Sequence, residues 1–229
     1  MNSSKITQNN KKYILTKLLF VFFVIFSQNT MGDQMDIVYI EASTAKAWKI
    51  DKFPERAEMS DKLDITFFPV YSFDKQSTIN EVINSDKKPD IIILQECSVY
   101  FPGDLSEYKG MVMSWVDKIR NSNIKPMLAT TVPPASSVGF VLDVKNIVKQ
   151  YILGRDTQFT QVVEFNEWLR EYASSNSITL IDLEHKLRQS SENRHMKEEY
   201  NAGDGIHVNK QAYEQLDLLF KEVISKELK

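Results

Sequence analysis

Asp90-Ile91-Ile92-Ile93-Leu94-Gln95-Glu96-Cys97-Ser98 is the stretch on which the fold turns. An unbroken apolar run, β-branched at three of its four positions and followed at once by polar side chains, predicts a short strand buried on both faces, as in a parallel sheet. Ile178-Thr179-Leu180-Ile181 has the same character. Working outward, the strands read as Asp36–Ile40, Leu63–Val70, Asp90–Leu94, Pro126–Val132 and Ile178–Asp182, and the helices as 44–60, 76–85, 107–121, 157–175 and 209–227. Short apolar runs alternating with longer amphipathic stretches are the pattern of βαβ units. In the last helix Ala212, Leu216, Leu219, Phe220 and Val223 recur at spacings that gather them on one face. Pro133-Pro134 stop the fourth strand, and 135–156 reads as an irregular insertion over the sheet edge. The expected fold class is α/β, doubly wound: a three-layer α/β/α sandwich about a mostly parallel five-stranded sheet. Ligands on such sheets sit at the carboxyl ends of the strands.

The chain has 229 residues, 28 Lys+Arg against 31 Asp+Glu, and one Cys. That length fits one domain with a substantial core. One Cys excludes an intramolecular disulfide framework and a multi-cysteine zinc site, and the near-balanced charge gives no reason to expect nucleic-acid binding. The charge is unevenly placed. Residues 1–32 hold Lys5, Lys11, Lys12 and Lys17 and no acid, leaving 24 basic against 31 acidic residues in the rest. After Lys17 come nine uninterrupted apolar residues, Leu18 to Phe26. A basic flank and an apolar run of this length match a secretory signal, with Thr30 and Gly32 as small residues before a cut that leaves Asp33 first. The run is short of the ~20 residues a membrane span needs. The alternatives are an uncleaved N-terminal membrane anchor and a buried helix. The domain reading is therefore 1–32 as signal peptide or anchor and 33–229 as the folded domain, exported to a periplasmic, extracellular or membrane-anchored location.

The strand-end rule selects Glu41-Ala42-Ser43-Thr44, Tyr71-Ser72-Phe73, Gln95-Glu96-Cys97-Ser98 and Thr131–Pro134, together with the turn before the last helix, Asn201-Ala202-Gly203-Asp204-Gly205-Ile206-His207-Val208-Asn209. A serine nucleophile needs an imidazole to take its proton and an acid to orient that imidazole. Asp204-x-x-His207 can supply both from one segment; alternatively these residues only build the turn, with Asn209 capping the helix. Ser43 directly follows a strand and opens a helix, where backbone N–H groups can stabilise an oxyanion. It can equally be a plain N-cap.

Taken together, the Ser after the first strand, Thr130-Thr131-Val132-Pro133-Pro134 after the fourth, Ile181-Asp182-Leu183 and Asp204-Gly205-Ile206-His207-Val208-Asn209 resemble the SGNH (GDSL-type) esterase and acyltransferase superfamily over about Asp36 to Leu219. The resemblance implies its flavodoxin-like sandwich, with Ser43 as nucleophile, His207 as general base and Asp204 as its orienter. It implies an oxyanion hole from the Ser43 N–H, a backbone N–H near Ser72 and the Gln95 amide.

The chain departs from the family pattern. Glu41-Ala42-Ser43 stands in place of Gly-Asp-Ser, Tyr71-Ser72-Phe73 contains no Gly, and Gln95-Glu96-Cys97-Ser98 contains no Asn. Gln donates as Asn does, whereas outright loss of one oxyanion donor costs about 3 kcal/mol in the barrier. Glu96 reads as a ligand for a substrate hydroxyl or a second acid, or else as a solvent-facing turn residue. Cys97 reads as a small core residue or as a rival nucleophile, with nothing basic beside it in sequence to lower its pKa. His185 and His195 read as surface residues. No metal-ligand spacing and no phosphate-binding glycine loop occurs, so neither metal nor cofactor is expected. The expectation is an exported serine esterase or O-acyltransferase acting on an acylated glycan or lipid, with no nucleic-acid partner and membrane contact only through an uncleaved N-terminal segment. The alternative is a catalytically weak binding or assembly module of the cell envelope.

Overall fold

A computed structural model describes residues 34–101, 104–136 and 158–229. The leader 1–32 and most of the 135–156 insertion lie outside the described residues. The strands are β1 (Met35–Glu41), β2 (Leu63–Pro69), β3 (Ile91–Gln95), β4 (Lys125–Ala129) and β5 (Thr179–Ile181). All pair in parallel in the order β2-β1-β3-β4-β5, so every carboxyl end reaches one edge. The helices are α1 (Thr44–Trp48), α2 (Phe53–Arg56), α3 (Gln76–Ile83), α4 (Leu105–Asn121), α5 (Gln158–Ser175), α6 (Leu183–Leu187) and α7 (Lys210–Glu227). The five-stranded α/β/α reading of the sequence holds.

The period of two along each strand divides the core. Ile37, Tyr39, Ile91, Ile93, Met127 and Ile181 meet Trp48, Phe53, Leu183, Leu216 and Phe220 from α1, α2, α6 and α7. Val38, Ile40, Ile92, Leu94 and Leu128 face Ile79, Tyr108, Trp115, Ile119, Phe165 and Leu169 from α3, α4 and α5. Aspartate and asparagine start three helices: Asp104 accepts from Ser106 N–H, Asp182 from His185 N–H and Asn209 from Ala212 N–H.

Two elements depart from the sequence reading. The helix expected over 44–60 is broken at Lys49, whose φ of 53° ends α1; a 3-10 turn at Ile50–Lys52 then leads into α2, with Pro54 in its first turn. β4 stops at Ala129 rather than Val132: Thr130 N–H still reaches Ile181 O at 3.0 Å, but Thr131 N–H is diverted to the side chain of Asn166, to Oδ1 at 2.9 Å. β4 also carries Pro126, one residue before its pairing with β5 begins at Met127, so the missing donor interrupts no bond to β5.

Phe220 is fully buried and meets Phe53, Trp48 and Tyr39 at ring-centroid distances of 4.7, 5.6 and 6.3 Å. Phe220→Ala removes the centre of this group and is expected to cost about 3–5 kcal/mol in denaturant unfolding; a loss under ~1 kcal/mol would show that the α7 face is not the core it looks to be.

Candidate active site

β1 ends in Glu41, and α1 begins three residues later. Ser43 occupies the N-cap position but makes no side-chain cap. Glu41 does that work: its Oε2 accepts from Ala45 N–H at 2.8 Å, from a position with no solvent exposure. The Ser43 hydroxyl lies instead 3.7 Å from Cys97 Sγ, on the segment after β3. The plain N-cap reading of Ser43 is thereby corrected. Burial pushes the Cys97 thiol up, against the opposing Val99 N–H and Ser43 hydroxyl, so it stays protonated. That favours the core-residue reading of Cys97.

The closing turn is tightly specified. Asn201 Oδ1 accepts from the N–H groups of Gly203 and Gly205, both at positive φ (104° and 76°). Asp204 Oδ1 accepts from the N–H groups of Ile206 and His207, and Asp204 Oδ2 lies 2.5 Å from His207 Nδ1. Partial burial works against ionisation of Asp204, but the ring and backbone hydrogen bonds outweigh it and bring its pKa to about 2. The acid is charged at any ordinary pH and fixes the ring by Nδ1, leaving Nε2 for proton transfer. The turn is tied to the segment after β4 by Ala135 N–H, which donates to Gly205 O at 2.9 Å, and the stretch leading to the turn by Met196 N–H, which donates to Pro134 O at 2.8 Å. The structure thus brings Asp204 and His207 together and leaves Ser43 apart from them: among the described residues no hydrogen bond joins Ser43 to His207.

The expected oxyanion donors fare differently. Gln95 is buried, and its Oε1 accepts from the Tyr39 hydroxyl at 2.7 Å, so Nε2 is the amide end without a partner. Ser72 spends its hydroxyl on Asp74 O at 2.8 Å, within a loop whose Val70 N–H donates to Glu41 O at 2.9 Å. Glu96 is not a solvent-facing turn residue. It is 4% exposed, and its Oε2 takes the Lys75 ammonium at 2.5 Å together with the Tyr108 hydroxyl. Burial raises its pKa to about 7 despite Lys75. A carboxylate sealed in this way is not open to a substrate hydroxyl, which corrects that reading too.

Sequence reasoning missed Lys75, 2% exposed, because a lysine in a polar loop gives no sign of burial until its acid is in place. It also missed the support behind the closing turn. Asn166 on α5 clamps Thr131 through both its N–H and its C=O (2.9 and 2.8 Å), and Glu184 accepts from Arg170 and Arg194 at 2.5–2.7 Å. His185 is exposed as expected, whereas His195 is half buried and stacks on Phe159 at 4.0 Å. Among the described residues no group of three or more His, Cys, Asp or Glu side chains is arranged to hold a metal ion, and no helix is long and apolar enough to cross a membrane.

No protein-family model and no curated protein matches the sequence. Solved structures do match the fold. A candidate acylhydrolase of Bacteroides fragilis superposes with a TM-score of 0.65 at 20% identity, over 86% of this chain and 90% of that one. A GDSL-like lipase of Bacteroides thetaiotaomicron gives 0.62 at 14% identity, over 84% and 88%. A catalytic mutant of an acetylxylan esterase of Geobacillus stearothermophilus gives 0.58 at 10% identity, over 83% and 94%. The fold expected from the SGNH resemblance is the fold observed.

Burial raises the pKa of Glu41 by more than the N–H groups of Ala45, Thr44 and Ala42 and the charge of Lys75 lower it. The folded state therefore keeps a proton that the unfolded chain releases near the ordinary value of 4.5. Its contribution favours the fold below that pH and is lost as pH rises through the elevated value. Glu41→Gln keeps an oxygen for Ala45 and sets its NH2 at the unpartnered Oε1 position, without titrating. Thermal unfolding across roughly pH 4 to 8 is expected to show E41Q gaining on the wild type as pH rises; a difference independent of pH would contradict this.

Proposed function

We propose that the chain is an SGNH-type serine esterase that acts on an acyl ester without metal or cofactor. The observation that carries the reading is the 2.5 Å contact between Asp204 Oδ2 and His207 Nδ1 in a chain whose strand-end serine is spared from capping its helix. The fold of the neighbouring esterases and lipases supports it.

In this reading His207 Nε2 takes the proton of the Ser43 hydroxyl as Oγ attacks the acyl carbon. The two side chains are not hydrogen-bonded without substrate, and the step requires them to close to about 3 Å when substrate binds. The oxyanion receives the Ser43 N–H and an N–H near Ser72; the unpartnered Gln95 Nε2 is buried in the free protein and joins them once the closure that brings Ser43 to His207 uncovers it. As the tetrahedral intermediate collapses, His207 returns the proton to the departing alcohol. Water then attacks the acyl-enzyme, its proton again passing to His207, and the carboxylic acid leaves with Ser43 restored. A sugar hydroxyl in place of water makes the same chemistry an O-acyl transfer. Tyr71, Phe73 and Val99 are exposed on the loops after β2 and β3, an apolar rim suited to the acyl group or sugar ring of an acylated glycan or lipid. The basic flank and apolar run of residues 1–32 favour export, and hence a cell-envelope or extracellular substrate.

The second reading, a binding or assembly module that keeps the fold, draws on the absent Asn after β3 and the unjoined Ser43 and His207. Hydrolysis of p-nitrophenyl acetate separates the two. Measurable turnover is expected, abolished in Ser43→Ala and reduced by roughly three to four orders of magnitude in Asp204→Asn, where the ring loses its oriented tautomer. Turnover that survives Ser43→Ala would sink the serine mechanism, and loss only in Cys97→Ala would move it to the thiol. No turnover together with measurable binding of acylated glycan would favour the module.

A further inference from the structure

The first turn of any α-helix presents N–H groups without intrahelical acceptors, and a serine at the N-cap ordinarily turns its hydroxyl onto one of them. Ser43 has the position and does not. The N–H it would take, that of Ala45, is held by Glu41 Oε2 at 2.8 Å, and the N–H groups of Thr44 and Ala42 also act on that carboxylate. Among the described hydrogen bonds none is donated by the Ser43 N–H.

Glu41 is a costly way to start a helix of five residues. It is fully buried, and its Oε1 has no partner. Lys75, the cation whose charge reaches it, spends its ammonium on Glu96 at 2.5 Å. Tyr39, Tyr213, Cys97 and Glu96, the other titratable groups around it, feel its charge as repulsion once they ionise. A serine cap would satisfy Ala45 with no buried acid. A need for the helix alone therefore does not account for Glu41; a need for the serine hydroxyl elsewhere does.

We propose that Glu41 is the positioning residue of the nucleophile turn: by taking the Ala45 N–H it keeps the Ser43 hydroxyl out of the helix cap, and leaves that hydroxyl and the Ser43 N–H to meet the acyl group. This rests on the serine-esterase reading. Without Glu41 the Ala45 N–H is vacant two residues ahead; a shift of Ser43 from its helical φ and ψ of -98° and -37° to the extended conformation of a capping residue lets Oγ accept from it and withdraws the nucleophile from the acyl carbon.

The test compares Glu41→Ala, Glu41→Asp and Glu41→Gln, with kcat and KM for p-nitrophenyl acetate, thermal unfolding, and titration of reactive serine by a fluorophosphonate, so that rates refer to folded, competent molecules. E41A is expected to lose about a hundredfold in kcat, as for a displaced reacting group, with KM changed by no more than about threefold. E41D is one methylene too short to reach Ala45 from the end of β1 and is expected to follow E41A. E41Q, which keeps an acceptor of the right reach, is expected to stay within about tenfold of the wild type. If E41A does not fold, the contrast between E41D and E41Q decides. A lowered melting temperature with unchanged kcat per titrated serine in E41A, or in E41D where E41A does not fold, would overturn the proposal, as would an E41Q as slow as E41D. A wild type without turnover, or turnover that survives Ser43→Ala, would overturn the esterase reading and this proposal with it. An active wild type with a dead Ser43→Ala and fully active E41D would overturn this proposal alone.

Discussion

A parallel sheet sealed on both faces must terminate every strand at the same edge, and there the ladder leaves backbone groups that need polar partners inside an apolar interior. Much of what distinguishes this molecule follows from how that need is met. β1 ends in Glu41, β3 in Gln95 followed by Glu96, β4 in front of Thr130 and Thr131, and β5 in front of Asp182. Each contributes a polar side chain that is buried or half buried. The apolar strands thus run into a layer of acids, amides and hydroxyls, and the loops that bear Ser43, Cys97 and Ser72 grow out of that layer.

The layer is fastened from the helices on both sides. On the α5 side, Asn166 takes both backbone groups of Thr131, while Arg170 reaches Asp182 and Glu184 together. Arg194, on the segment that leads to the closing turn, meets the same Glu184. One buried carboxylate thereby links α5, the start of α6 and the approach to Asp204. An acid held by Arg170 and Arg194, with the Arg188 guanidinium 3.5 Å away, is strongly localised, and stripping it of these partners would be far worse than never having buried it. On the α4 side Tyr108 plays the smaller counterpart, meeting Glu96 from beneath.

The strands were legible because burial on both faces leaves a mark that needs no context: Ile91 to Leu94 could hardly be anything else. The closing turn was legible for the opposite reason, since its bonds are local: Asp204 accepts from the N–H groups of Ile206 and His207, and Asn209 from that of Ala212. What escaped was whatever depends on a partner distant in sequence. Lys49 in the left-handed region looks like any helical lysine until Ile50 and Phe53 are seen to need burial beneath α7. Glu96 reads as a turn acid unless Lys75, twenty-one residues earlier, is known to enter the same interior. Ser43 read as nucleophile or as cap, because it is Glu41 that takes the Ala45 N–H, and a side chain's direction is not written in its own spacing.

The lone thiol follows from the same crowding. Cys97 is the sole cysteine of the chain, 9% exposed and 3.7 Å from the Ser43 hydroxyl. A sulfhydryl in that place is a reporter needing no engineered label. Its alkylation rate, set against that of a small free thiol, measures how often the strand-end layer opens, in the manner of a slowly exchanging amide. Anything that seats itself over Ser43 would slow that clock, so occupancy at the serine can be timed by sulfur chemistry alone, before any substrate is known.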